Sequence, residues 1–91
     1  GHILSEVKTL AESGLRLIAC SEKGDSTIHE SDLTGPVAMI MGSEEDGIGD
    51  GLLELASEHV SIPMAGATGS LNVSVATGVV LFERLRQLTN G

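Results

Sequence analysis

Small-residue stretches are where this sequence could do chemistry. They are Gly42-Ser43-Glu44-Glu45-Asp46-Gly47, Ile62-Pro63-Met64-Ala65-Gly66 and Gly69-Ser70-Leu71-Asn72. Each follows or flanks an apolar run that reads as a strand. In open α/β sheets, ligands sit beyond the carboxyl ends of the strands. The three stretches are therefore candidate walls of one pocket. Small residues let a ligand approach the backbone, whose amides and carbonyls can then read a purine edge. Glu44, Glu45 and Asp46 disfavour a phosphate cradle and suit a ligand bearing positive charge, such as a sulfonium. Taken on local composition alone, the same glycines could simply be turns.

Other chemistries find little footing. His29 and His59 are isolated and read as surface or strand-end residues. No metal-ligand spacing is present, and no Ser-His-Asp or Cys-His arrangement can be assembled. Cys20 is the only cysteine. It reads as a small buried residue ending a strand, and the absence of an internal disulfide suits a reducing cytoplasm.

The elements that would hold these walls alternate. Ile3, Val7, Leu10 and Ala11 recur at helical spacing and Gly14 follows, predicting a helix over residues 4–13. Leu15 to Cys20 is a buried strand. Ser21 to Pro36 is polar and rich in turn formers, with a single helical turn near Ser31-Asp32-Leu33. Val37 to Met41 is a second strand. Asp50 is placed to cap a short helix carrying Leu52, Leu53, Leu55 and Ala56. Val60 to Ile62 forms a third strand, closed by Pro63. From Ser70 onward, Val73, Val75, Val79 and Val80 favour strand by propensity. Leu71, Val75, Gly78, Phe82 and Leu85 share a helical face, however, and the length without a turn signal decides for a helix capped by Ser70. The whole order implies an α/β fold, a parallel sheet with flanking helices.

Bulk properties narrow the partners. With 91 residues the chain is one small domain near the marginal end of stability, which a partner subunit would help. Phe82 is the only aromatic residue, so the core must be aliphatic. The net charge of −8, with only five Lys and Arg, argues against this segment as a nucleic-acid grip. No apolar run is long enough to span a bilayer and no secretory signal is visible. Gly1-His2 reads as a tag-cleavage remnant, leaving residues 3–91 as the domain.

Two runs carry a family resemblance. Val37-Ala-Met-Ile-Met-Gly-Ser-Glu-Glu-Asp-Gly-Ile48 resembles the second motif of the SpoU (TrmH) family of the SPOUT class. Ser61-Ile-Pro-Met-Ala-Gly66, followed by Ser70-Leu-Asn-Val-Ser-Val-Ala76, resembles its third motif. The resemblance extends over roughly residues 4–88. It is most similar to the branch that methylates a guanosine ribose in large-subunit ribosomal RNA.

This resemblance implies an S-adenosylmethionine-dependent RNA 2′-O-ribose methyltransferase with a deep trefoil knot, its last helix threading a loop formed just before it. It implies cofactor contacts from Met41, Gly42, Ile62 and Leu71, mainly through backbone, with Met64 and Ala65 lining the adenine pocket. Glu44 matches the motif-two glutamate. Ser70 and Asn72 match the polar pair near the reacting ribose, although capping the last helix is an equally good role for both. The family's first motif, with its asparagine and catalytic arginine, has no counterpart here, because Arg16, Arg84 and Arg86 sit in other contexts. The chain therefore reads as the carboxy-terminal part of a methyltransferase domain, truncated on its amino-terminal side.

The expected partners are RNA, reached through the parent protein, and a second copy meeting the apolar face of residues 71–88. Neither DNA nor a membrane is expected, and the location is cytoplasmic. Two other readings stand beside this one: a non-catalytic cofactor-binding or dimerisation module, and an unrelated nucleotide-binding α/β domain.

Overall fold

The computed structural model describes residues 2–42, 48–63 and 72–90. The elements run α1 (His2–Glu12), β1 (Arg16–Cys20), β2 (Ser26–Thr27), β3 (Val37–Met41), α2 (Asp50–Leu55), β4 (Glu58–Ser61) and α3 (Val73–Asn90). The four strands form one sheet in the order β2-β4-β1-β3. Every pairing is parallel, as the alternation of helices and strands predicts.

α1 ends where glycine permits. Gly14 takes φ +99°, a left-handed conformation that side chains resist. The Leu15 N–H reaches back to the Leu10 carbonyl and the Gly14 N–H to that of Ala11. These bonds satisfy carbonyls that the helix itself cannot. The chain then turns directly into β1, the central strand, whose Leu17, Ile18, Ala19 and Cys20 are all buried.

Side chains alternate across the sheet. Ile18 and Cys20 join Ile28, Leu33, Val60 and Val80 in one buried cluster, with Val37, Met39, Met41 and Ile62 packed against it. Leu17 and Ala19 are buried on the opposite face. α1 and α2 pack on each other, with Leu4 lying beneath Gly51. Among the described residues the core is aliphatic but for sulfur-bearing Cys20, Met39 and Met41, and contains no aromatic ring.

Several boundaries depart from expectation. β4 begins at Glu58, two residues before the predicted strand, and ends at Ser61. Its first residue carries no apolar signal because its side chain is held by polar partners: Glu58 pairs with Arg16 and accepts the Ser31 hydroxyl at 2.7 Å. β2 was not expected at all. Two polar residues form it, and backbone bonds to β4 flank it: Asp25 N–H to His59 O at 3.0 Å and Ile28 N–H to Ser61 O at 2.9 Å. Asp50 is the first residue of α2 and not its cap. Gly49 occupies the cap position, and no side-chain bond closes that end. Residues 31–33 form no helical turn.

α3 is a helix as predicted, beginning at Val73. Its buried face is Ala76, Val80 and Glu83. Val75, Val79, Leu81, Phe82, Leu85 and Leu88 are exposed instead. Threading of this helix through a preceding loop turns on residues 64–71, which lie outside the described residues. No described helix is long and apolar enough to cross a membrane.

Candidate functional site

The site is built from strand ends. β3 and β4 flank β1, with Met41 and Val60 both level with Cys20 in the register. Adjacent strands lie about 4.8 Å apart, so the ends of β3 and β4 stand about 10 Å apart across β1. Beyond these ends emerge Gly42 on one side and Ile62-Pro63 on the other. Met41, Gly42 and Ile62 are all half-buried. Met41 and Ile62 pack against the same buried cluster. The sequence-derived walls around positions 42 and 62 are thus brought to one edge of the sheet.

Backbone hydrogen bonds fix that edge. The Ser21 N–H donates to Val60 O at 2.9 Å, tying the end of β1 to β4. The Ile28 N–H holds Ser61 O, immediately before Ile62.

The third wall is represented by Asn72. Its side-chain oxygen accepts the Ser74 N–H at 2.8 Å, and its carbonyl accepts the Ala76 N–H at 2.8 Å. Asn72 therefore caps α3, one of the two roles its motif position allows. The helix it starts places Val80 in the cluster shared by Cys20 and Val60. Glu44, Met64, Ala65, Ser70 and Leu71 lie outside the described residues.

The ionisable groups in view are structural. Arg16 opens β1 at the opposite end of the sheet and pairs with Glu58, whose carboxyl is held below its ordinary range first by that arginine and then by Ser31. Arg84 donates to the carbonyls of Leu33 and Gly35 at 2.8 and 3.0 Å. Arg86 grips Glu83 with two hydrogen bonds of 2.9 and 2.8 Å. All three arginines are thus committed to holding the fold. Burial pushes the Cys20 thiol up, which keeps it protonated and unreactive. Among the described residues no cluster of His, Cys, Asp or Glu could hold a metal ion.

Sequence reasoning missed the polar face of α3. Glu83 and Gln87 are four residues apart, so they lie on one side of the helix. They serve the loop over residues 28–35, a relation that no local pattern encodes.

Comparison with known proteins gives a consistent result. The model of the SpoU rRNA methylase family matches residues 2–82. The chain is 46% identical over 90 residues to the 23S rRNA (guanosine-2′-O-)-methyltransferase RlmB of Pectobacterium atrosepticum, covering 94% of this chain and 35% of that protein. It is 49% identical over 85 residues to an uncharacterized tRNA/rRNA methyltransferase of Mycolicibacterium smegmatis, covering 89% of this chain and 26% of that one. Among solved structures, an RNA 2′-O ribose methyltransferase aligns with TM-score 0.84 and 38% identity, over 93% of this chain and 33% of that one. The SpoU methyltransferase AviRb from Streptomyces viridochromogenes, in complex with AdoMet, aligns with TM-score 0.85 and 32% identity, over all of this chain and 37% of that one. The chain thus spans about a third, or less, of each of these proteins.

Proposed function

From the premise that the chain belongs to the SpoU rRNA methylase family, we propose that it is the cofactor-holding part of an RNA 2′-O-ribose methyltransferase, acting on ribosomal or transfer RNA in the cytoplasm. The supporting observation is the placement of Met41-Gly42 and Ile62 at the ends of β3 and β4, on either side of β1. These walls suit an adenosyl group. Met41 and Ile62 offer apolar surface to a purine, and Gly42 has no Cβ to keep a ligand from the backbone.

When bound, S-adenosylmethionine supplies an activated methyl on a sulfonium, already a good leaving group. The protein's tasks are then to align a ribose hydroxyl with that methyl and to accept its proton. We assign wall contacts to Met41, Gly42, Ile62, Met64, Ala65 and Leu71. Glu44, Ser70 and Asn72 supply polar groups at the ribose side. Asn72 already spends its side-chain oxygen on the start of α3, so its part is to orient that end of the site. Because Arg16, Arg84 and Arg86 are all committed to the fold, a hydroxyl-activating arginine has to come from the remainder of the parent protein. The basic surface that grips RNA has to come from there too, since this segment carries a charge of −8.

Calorimetry separates the readings. The chain is expected to bind S-adenosylmethionine and not ATP. Binding of ATP alone would instead indicate an unrelated nucleotide-binding domain.

The exposed face of α3 supports a second part of the proposal, a homodimer. Phe82 is 73% exposed and lies in a stripe with Val75, Val79, Leu85 and Leu88. An apolar stripe of this kind marks an interface. Sedimentation of the wild type is expected to show dimer. Phe82→Glu should weaken association about 30-fold, or about 2 kcal/mol, through loss of a central aromatic anchor. A wild type that stays monomeric at high concentration would remove this part.

A further inference from the structure

Gln87 lies far along α3 from the site, yet its side chain, with that of Glu83, is among the most heavily bonded on the described helix. Its Oε1 accepts the Leu33 N–H at 2.7 Å. Its Nε2 donates its two hydrogens to Ser31 O at 3.0 Å and to Glu83 Oε2 at 2.8 Å, with Ile28 O a weaker, shared contact at 3.4 Å. Arg84 adds its two bonds to the carbonyls of Leu33 and Gly35. The segment over residues 28–35 is pinned under the helix, with Ile28, Ser31 and Leu33 buried. Buried backbone groups need partners, and here side chains of α3 provide them.

That segment runs from the wall at Ile62 to the opposite end of the sheet, where the strand that carries the other wall begins. At one end the Ile28 N–H holds Ser61 O, next to Ile62. At the other, Pro36 leads into β3, its carbonyl held by the Arg16 N–H at 3.2 Å. The helix, in turn, starts at Asn72. A helix rises 1.5 Å per residue, so Gln87 and Asn72 are about 22 Å apart on one stiff rod. Any axial slip at the clasp is carried undiminished to the Asn72 end.

We propose that Gln87 is a positioning residue for the cofactor site, its clasp on residues 28–33 setting α3 axially against the carboxyl ends of β3 and β4. The inference rests on the cofactor reading given above. It explains why so many bonds converge on a surface remote from the ligand. A hollow whose third wall is carried on a helix needs that helix fixed along its length, and the aliphatic contacts of Ala76 and Val80 resist sliding only weakly.

The test measures S-adenosylmethionine affinity by calorimetry in the wild type, in Gln87→Ala and in Leu17→Val. Leu17 is buried on the opposite face of the sheet, so its variant reports general destabilisation. Gln87→Ala is expected to raise Kd at least tenfold and to shift the NMR resonance of the Asn72 side-chain amide. Leu17→Val should leave Kd within twofold and that resonance in place. A Gln87→Ala Kd within threefold of wild type would overturn the inference, as would a rise no larger than that of Leu17→Val at equal loss of thermal midpoint. Arg84→Lys weakens the same clasp more gently and carries the comparison where Gln87→Ala does not fold. A wild type that binds no S-adenosylmethionine defeats the cofactor reading and this inference with it. A wild type and a Gln87→Ala variant that bind alike defeat this inference alone.

Discussion

Ile18→Ala is expected to lower the stability of this chain by about 2–5 kcal/mol, the range for truncating a fully buried aliphatic side chain. Ile18 is completely buried on the central strand and belongs to the cluster that contains Ile28, Leu33, Val60 and Val80. Three different elements and one loop meet there. Rigid strands on both sides leave little room for collapse around the missing atoms, which favours the upper part of the range. A domain of this size has a total stability of about 5–15 kcal/mol, and small chains lie toward the lower end. At about 4–8 °C per kcal/mol, the thermal midpoint should fall by about 10 °C or more. Phe82→Ala provides the contrast. It removes the largest apolar side chain in the sequence, yet from an exposed position, and the stability of the single chain should change by about 0.5 kcal/mol or less. Circular dichroism melts of the two variants at low concentration check both statements. An Ile18→Ala midpoint within about 3 °C of wild type would mean that the core is not centred on β1.

The comparison of these two residues also shows what the sequence could tell. The elements β1 and β3 were legible because each is a largely apolar run between turn formers; β1, buried on both faces, must look like that, and β3 does so although it is only half-buried. α1 was legible from its period and from Gly14. The boundaries that failed are those set by tertiary partners. Glu58 is polar and still starts a strand, because Arg16 and Ser31 satisfy its carboxylate. Ser26 and Thr27 have no strand signature at all, and only the neighbouring backbone of β4 makes them one. The helical face of α3 was visible as apolar, but periodicity cannot say which side of a helix turns inward. The inward side proved to carry Glu83, whose burial is tolerable only because partners from the same helix and from residue 29 reach it.

The site divides in the same way. The stretches at Gly42 and Ile62 could be placed together because alternation implies parallel strands, whose carboxyl ends share one end of the sheet; that β3 and β4 flank the same strand could not be read from it. The clasp by Gln87 could not, since it pairs residues more than fifty positions apart.

Glu83 gives the strongest expected dependence on pH. Its carboxylate is 4% exposed and accepts bonds from Arg86, Gln87 and His29, the last at 3.1 Å. Hydrogen bonds from Arg86, and then from Gln87, hold its pKa at about 2, against an ordinary value of 4.5. The folded chain therefore keeps the anion where the unfolded chain takes up a proton. The stabilisation is complete above pH 4.5 and is lost progressively as the pH falls from about 4.5 toward 2. Glu83→Gln keeps the shape and removes the charge. At pH 7 its thermal midpoint should lie below that of wild type, because Arg86 and His29 lose the charge they face. Between pH 5 and pH 2 the wild-type midpoint should fall more steeply than that of the variant, and the two should converge near pH 2. Some slope should survive in the variant, since Glu58, Glu30 and Asp32 are also held below their ordinary range. Parallel curves across that window would show that Glu83 is not the carboxylate whose protonation releases α3. The point bears on the site as well as on stability. Glu83 receives a bond from Gln87, and the folded chain keeps it ionised down to about pH 2, so the clasp holds for as long as the chain stays folded. Cofactor affinity should accordingly begin to fall no earlier than helix content does.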